Sequence, residues 1–170
     1  STVLDLRFSG LLEGALPGKD ERSAFLGNFW ALLNTVAFFL QFIAAPALLS
    51  LLTFRRLHLA IPTLHLLAAV ALLLFPSLTM GAVAFLLFKA VDYSLFRAGK
   101  EIFYIPLPFD ARYRSKEVID AFGYRASKGG ASALLALGGQ VFGRLPGAVY
   151  PVMAITALAG WVTVVIGLTR

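Results

Sequence analysis

The chain contains no cysteine, which excludes disulfides, thiolate catalysis and cysteine-bound metals. Acidic residues are scarce: nine Asp and Glu stand against fifteen Lys and Arg in 170 residues. Charged residues of all kinds make up 14%, well below the roughly 25% of an ordinary soluble domain. There are two histidines, without a carboxylate near either, and no phosphate-binding glycine loop, zinc-protease motif or nucleophile elbow in a fitting setting. No catalytic residue, metal site or cofactor is therefore expected. A secretory signal pattern is also lacking. What the chain has instead is apolar length: 59% of residues are hydrophobic and the mean hydropathy is +0.81. The net charge of +6 falls mostly between apolar runs, so nucleic acid is not an expected partner. The class is a polytopic membrane protein whose partner is the lipid bilayer.

A spanning helix needs about 20 mostly apolar residues, and the chain divides accordingly. Leu4 to Phe8 reads as the tail of a span. With Ser1 in place of Met, the chain reads as a piece of a longer protein. Gly10 to Arg22 reads as a polar loop. The expected spans are then 23–54, with a kink at Pro46, followed by 57–75, 78–101, 115–142 and 148–169. Ile105-Pro106-Leu107-Pro108 should stop the third, Asp110 to Glu117 should connect it to the fourth, and Arg144-Leu145-Pro146-Gly147 should turn the chain into the last. Arg55 and Arg56 lie two spans from Arg112, Arg114 and Lys116, with Arg170 on the same side. Opposite them are uncharged Pro76-Ser77, Arg144, and a first loop whose Lys19 and Arg22 are matched by Asp20 and Glu21. The positive-inside rule puts the 55–56 and 110–117 loops in the cytoplasm.

The span 78–101 is set apart by Lys89, Asp92, Arg97, Lys100 and Glu101. An ionised side chain in hydrocarbon is costly, so such groups face protein or a water-filled space. At 100° per residue, Lys89, Asp92, Tyr93, Phe96, Arg97 and Lys100 fall within an arc of roughly 140°. The bland reading is a Lys89–Asp92 ion pair, three residues apart, with Lys100 and Glu101 reaching for the interface. The functional reading is a face that lines a cavity for an anion.

On the next span Arg125, Lys128, Gly129, Ser132, Ala136, Gly139, Gln140 and Gly143 share a stripe. Close helix packing accounts for the small residues but not for the two cations. Cationic faces on consecutive helices suit phosphate or carboxylate groups. A transporter requires Lys89, Arg125 and Lys128 to converge on one water-filled space. Asn34 and Gln41, seven apart on one face, are expected to hydrogen-bond between helices. His58 is expected at the interface, and His65 as a hydrogen bonder facing the bundle.

Three runs carry a family resemblance. Lys89 to Leu107 (KAVDYSLFRAGKEIFYIPL), Asp20 to Phe29 (DERSAFLGNF) and Gly123 to Gly130 (GYRASKGG) resemble, in order, motifs of the tenth, eighth and eleventh spans of the ATP/ADP translocases of plastids and obligate intracellular bacteria. The first run matches that family's K-x-x-(D/E)-Y-S-x-F…K-E-x-x-Y-I-P-L. The resemblance implies an all-α fold: the C-terminal six-helix half of a major-facilitator-like transporter, about five full spans plus the end of one. It implies exchange of nucleotides by alternating access, completed by an N-terminal helix bundle, in a bacterial inner membrane. Carried over residue by residue, the substrate-binding positions are Glu21, Lys89, Asp92 and Lys128, then Tyr93, Arg97, Lys100 and Arg125. Arg125 and Lys128 would hold phosphate oxygens, and Lys89–Asp92 would be an ion pair that opens with substrate. Arg22 replaces the family's Tyr, Pro108 and Phe109 replace its acidic residues, and Lys128-Gly129-Gly130 is one residue short of K-S-G-G. This pattern fits a diverged bacterial member. Two further readings stay open on the residues: a membrane anchor or sensor of a multidomain protein, and a transporter of another organic anion.

Overall fold

The computed structural model describes residues 1–143 and 145–168, and Phe103 by its backbone alone. Arg144, Thr169 and Arg170, which entered the turn, the last span and the sidedness argument, lie outside the described residues. Those described form six helices and no strand. They are α1 (Thr2–Ala15), α2 (Lys19–Leu51), α3 (Phe54–Leu74), α4 (78–104), α5 (109–142) and α6 (Val149–Leu168). Four of them, α2, α3, α4 and α6, are long and apolar enough to cross a membrane. The all-α membrane bundle expected from the sequence is the observed architecture. α5, which contains the expected span 115–142, is a long helix but is not among those four.

Most breaks between helices fall at or beside proline, which lacks a backbone donor. Leu16, held extended before Pro17, ends α1. Gly18 then caps α2, whose first turn carries Asp20 and Glu21 at the positive end of the helix dipole. Residues 10–15 are helical rather than part of a loop, because Leu12 is buried and Leu11 packs against Gly81 of α4. Packing outweighs the helix cost of Gly10 and Gly14. Arg55 and Arg56, expected in a loop between spans, lie in the first turn of α3, which Thr53 precedes as an extended cap. Ser77 caps α4, its hydroxyl accepting the Met80 N–H at 3.2 Å. The charged segment 109–117 is also helical. Asp110 in its first turn, with Arg114 and Lys116 in its last, complements the dipole.

Each of the helices α2, α4 and α5 contains one π-helical turn: Leu40–Ala44, Asp92–Phe96 and Val118–Gly123. The first explains the expected kink. Pro46 has no N–H and its ring crowds the carbonyl four residues back, and the widened turn just upstream takes up the misfit.

α4 is the central element and packs against α1, α2 and α3. Phe8, Phe29 and Phe85 stack where α1, α2 and α4 meet, with ring centroids 4.9, 5.4 and 5.9 Å apart. A second cluster, with Leu57, Ile61, Val91 and Leu95, joins α3 to α4. Helices approach most closely at glycine. A Cβ on Gly81 would lie 2.8 Å from Leu11, and one on Gly99 would lie 3.2 Å from Leu57 and 3.3 Å from His58. α5 differs, with Leu135 its sole buried side chain among the described residues. Gly139, expected to mark close packing, has open space beside it.

Candidate functional site

Two cavities border α4, one lined by Tyr93 and Arg97 and the other by Asp92. Lys89, Tyr93 and Arg97 recur at intervals of four. The π turn adds roughly one residue to that stretch. Tyr93 and Arg97 therefore stay in register with Lys89 instead of drifting by the usual roughly 40° every four residues. Lys89 donates a hydrogen bond to the Tyr93 hydroxyl at 3.2 Å. Its ammonium also lies 5.2 Å from the Tyr93 ring centroid and 5.7 Å from that of Phe85, within cation–π range. Tyr93 and Arg97 line a cavity of about 490 Å³ with Asn34, Phe38, Gln41 and Phe42 of α2.

Asp92 points the other way. With Phe96 it lines a second cavity of about 490 Å³, whose opposite walls are Tyr124, Ser127 and Lys128 of α5 and Trp161 of α6. The Lys89–Asp92 ion pair allowed by spacing is not formed. Tyr93 sits one turn above Lys89 and offers it both a hydroxyl and a ring face. Among the described residues the ion pairs are Lys100–Asp120, at 2.5 Å, and Lys116–Glu101, at 2.8 Å.

Those two pairs cross the turn between α4 and α5 and form a clasp there. Arg112 Nη2 donates to the carbonyls of Ile105 and Leu107, holding the Pro106–Pro108 turn. The hydrogen bond to Glu101 raises the Lys116 pKa above its ordinary value. Desolvation raises the Tyr104 phenol, and the Asp120 charge adds to it. Lys100, expected at the substrate or the interface, is engaged by Asp120. Asp120 was not singled out in the sequence. Its signal is positional: charges of opposite sign flank the Pro106–Pro108 turn at 100–101 and 116–120, as a clasped hairpin requires.

The remaining expected site residues lie apart. Arg125 is exposed on α5 and lines neither cavity. Glu21 is exposed in the first turn of α2 and folds over Gly18, where a Cβ would come within 3.2 Å of its carboxyl group. Its charge lies at the positive end of the α2 dipole. Lys89, Arg125 and Lys128 thus do not converge within this half. Of the three, only Lys128 lines a cavity shared by α4 and α5.

Other polar residues depart from expectation. Asn34 and Gln41 are exposed, and neither side chain hydrogen-bonds to another helix among the described residues. His58 is buried instead of interfacial, its Nδ1 3.0 Å from the Phe54 carbonyl. His65 is buried against Phe88, with ring centroids 4.5 Å apart, and neither ring nitrogen has a hydrogen-bond partner among the described residues.

The TLC ATP/ADP transporter family matches residues 23–170. The chain belongs to that family. It is also 25% identical over 181 residues to ADP,ATP carrier protein 1 of Chlamydia trachomatis serovar D, an alignment covering 92% of this chain. The chain spans about a third of the length of that curated relative, 33%. No solved structure matches it. Membership of a transporter family and the long apolar helices make this chain part of an integral membrane protein. Within that setting the Lys128 ammonium on one cavity and Arg97, beside a Lys89-bonded Tyr93, on the other are groups able to bind an anionic solute.

Proposed function

We propose that the full-length protein exchanges ATP- and ADP-like nucleotides across the membrane by alternating access, with the phosphates held by Lys and Arg side chains of the cavity. The observation that supports this most directly is the TLC family match over residues 23–170, joined to Asp92 and Lys128 facing one cavity between α4 and α5. In this reading Lys128 and Lys89 receive phosphate oxygens, with Tyr93 and Arg97 beside Lys89. Asp92, which lines the same cavity as Lys128, balances its charge between substrates. Arg125 and Glu21, exposed in this half, meet substrate or the N-terminal bundle, which supplies the rest of the wall. Lys100 acts at one remove, fixing α5 through Asp120. Rocking of the two bundles about the site would expose it to each side in turn. The 55–56 and 110–117 loops lie in the cytoplasm, and the membrane is the bacterial inner membrane.

The test is uptake of labelled ATP and ADP by full-length protein in liposomes loaded with unlabelled nucleotide. Exchange that falls at least tenfold in Lys128→Ala is the expected result. No counter-exchange of any nucleotide by the wild-type protein would overturn the proposal. Binding without exchange would point to a nucleotide sensor.

A further inference from the structure

The cavity between α2 and α4 is lined by Asn34, Phe38, Gln41, Phe42, Tyr93 and Arg97. Its composition is not that of a phosphate site. It presents two carboxamides, two phenyl rings, a phenol and one cation. Asn34 and Gln41 lie near the middle of a 33-residue helix, where the apolar surroundings make an unsatisfied carboxamide costly. Neither makes the interhelical hydrogen bond that would satisfy it, and both side chains open onto the cavity. Their functional groups therefore have a ligand's place before them.

We propose that this cavity holds the nucleoside end of the transported nucleotide: the carboxamides of Asn34 and Gln41 read the base edge and the ribose, and the Phe38–Phe42 rings cover the base. The proposal rests on the nucleotide-exchange reading above. A carboxamide carries a donor and an acceptor side by side, the pattern that pairs with the amino group and ring nitrogen of adenine. Ribose hydroxyls are met by the same groups. Seven residues separate Asn34 from Gln41, roughly 10 Å along the axis at 1.5 Å per residue, a span suited to a base and its sugar together. Phe38 and Phe42, with ring centroids 4.8 Å apart, are exposed and provide faces on which a base stacks. The volume of about 490 Å³ lies within the roughly 300–1,000 Å³ of small-molecule sites. Arg97 and, through Tyr93, Lys89 lie on the α4 side of the same cavity. That places cations for the phosphates next to the nucleoside and leaves the amide wall uncharged.

The experiment measures binding of ATP, GTP and inorganic tripolyphosphate to full-length protein, wild type and with Asn34→Leu or Gln41→Leu, with the melting temperature of each. The expected result is at least a tenfold loss of ATP affinity, a smaller ATP-over-GTP preference, tripolyphosphate affinity within twofold of wild type, and an unchanged melting temperature. Phe42→Leu, a change that leaves both carboxamides in place, should weaken ATP but not tripolyphosphate. ATP and tripolyphosphate weakened alike, no effect on ATP, or a large drop in melting temperature in both Leu variants would overturn the proposal. The last result would make the carboxamides structural. A wild-type protein that binds tripolyphosphate but no nucleotide would remove the exchange reading as well, whereas wild-type ATP binding untouched by the variants would remove this proposal alone.

Discussion

Replacing Lys100 with Met should loosen the hold of α4 on α5, by an amount the geometry bounds. The Lys100 ammonium meets Asp120 Oδ1 at 2.5 Å, with the two side chains 25% and 37% exposed. At an effective dielectric of about 20, bare Coulomb attraction at such a distance would be several kcal/mol. Groups this exposed keep much of their hydration, and measured couplings of comparable pairs are about 0.2–1 kcal/mol. We expect the upper end, about 1 kcal/mol. The pair sits on a short hairpin, and α5 buries only Leu135, so little else resists the loss. A change of that size shifts the docked-to-undocked ratio of α5 about fivefold. Because Lys128 reaches its cavity only when α5 is docked, nucleotide affinity should fall by at most that factor. The assay is a double-mutant cycle of Lys100→Met and Asp120→Asn in full-length protein, read by melting temperature and by nucleotide affinity. The swap Lys100→Asp with Asp120→Lys is made alongside. Each single change should cost nearly what the double costs, the swap should recover at least half, and the effect should fade with added salt. A coupling indistinguishable from zero, with the swap no better than either single variant, refutes the clasp.

Tyr93→Phe removes the hydroxyl that accepts from Lys89 but keeps the ring; a loss of about 1 kcal/mol, roughly fivefold in nucleotide affinity, is expected by titration, and Lys89→Met should lose more. Phe85→Ala empties the stack of Phe8, Phe29 and Phe85 and should cost about 3–5 kcal/mol, read as a lower melting temperature in detergent. Gly99→Val would drive side-chain atoms into Leu57 and His58, so it should destabilise the α3–α4 contact by about 1–3 kcal/mol, whereas Gly139→Val, facing open space, should leave this half's stability unchanged. The raised Lys116 pKa means its bond to Glu101 stabilises the fold throughout the range below the ordinary lysine value of 10.5. That contribution is lost as pH rises through the raised value. The difference in melting temperature between wild type and Lys116→Met should accordingly be constant at neutral pH and close under strongly alkaline conditions.

Much of the bundle was legible in the sequence because membrane solvation acts on local composition. Runs of apolar residues longer than about 20 need no partner to be read as helices. The turn at Ile105–Pro108 needed only proline's missing donor. The motif on α4 was legible for a similar reason, since charges in an apolar run stand out wherever they end up. Its family resemblance was recognised from contiguous residues and agrees with the TLC match.

The partners of those charges were not legible. Spacing made Lys89 and Asp92 neighbours, yet Lys89 bonds to the Tyr93 hydroxyl while Asp92 lines a cavity shared with α5. Lys100 was read as a substrate or interface group, but its partner lies 20 residues away on α5. Asn34 and Gln41 read as interhelical hydrogen bonders, and they face a cavity instead. In each case the deciding quantity is the azimuth of a side chain relative to another helix. Such angles depend on where helices widen, as at 40–44, 92–96 and 118–123, and on where a glycine such as Gly81 or Gly99 lets two backbones approach. The long apolar spans and the charges they carry follow from the chain's own chemistry. Which charge meets which partner is a property of packing, which only the tertiary structure decides.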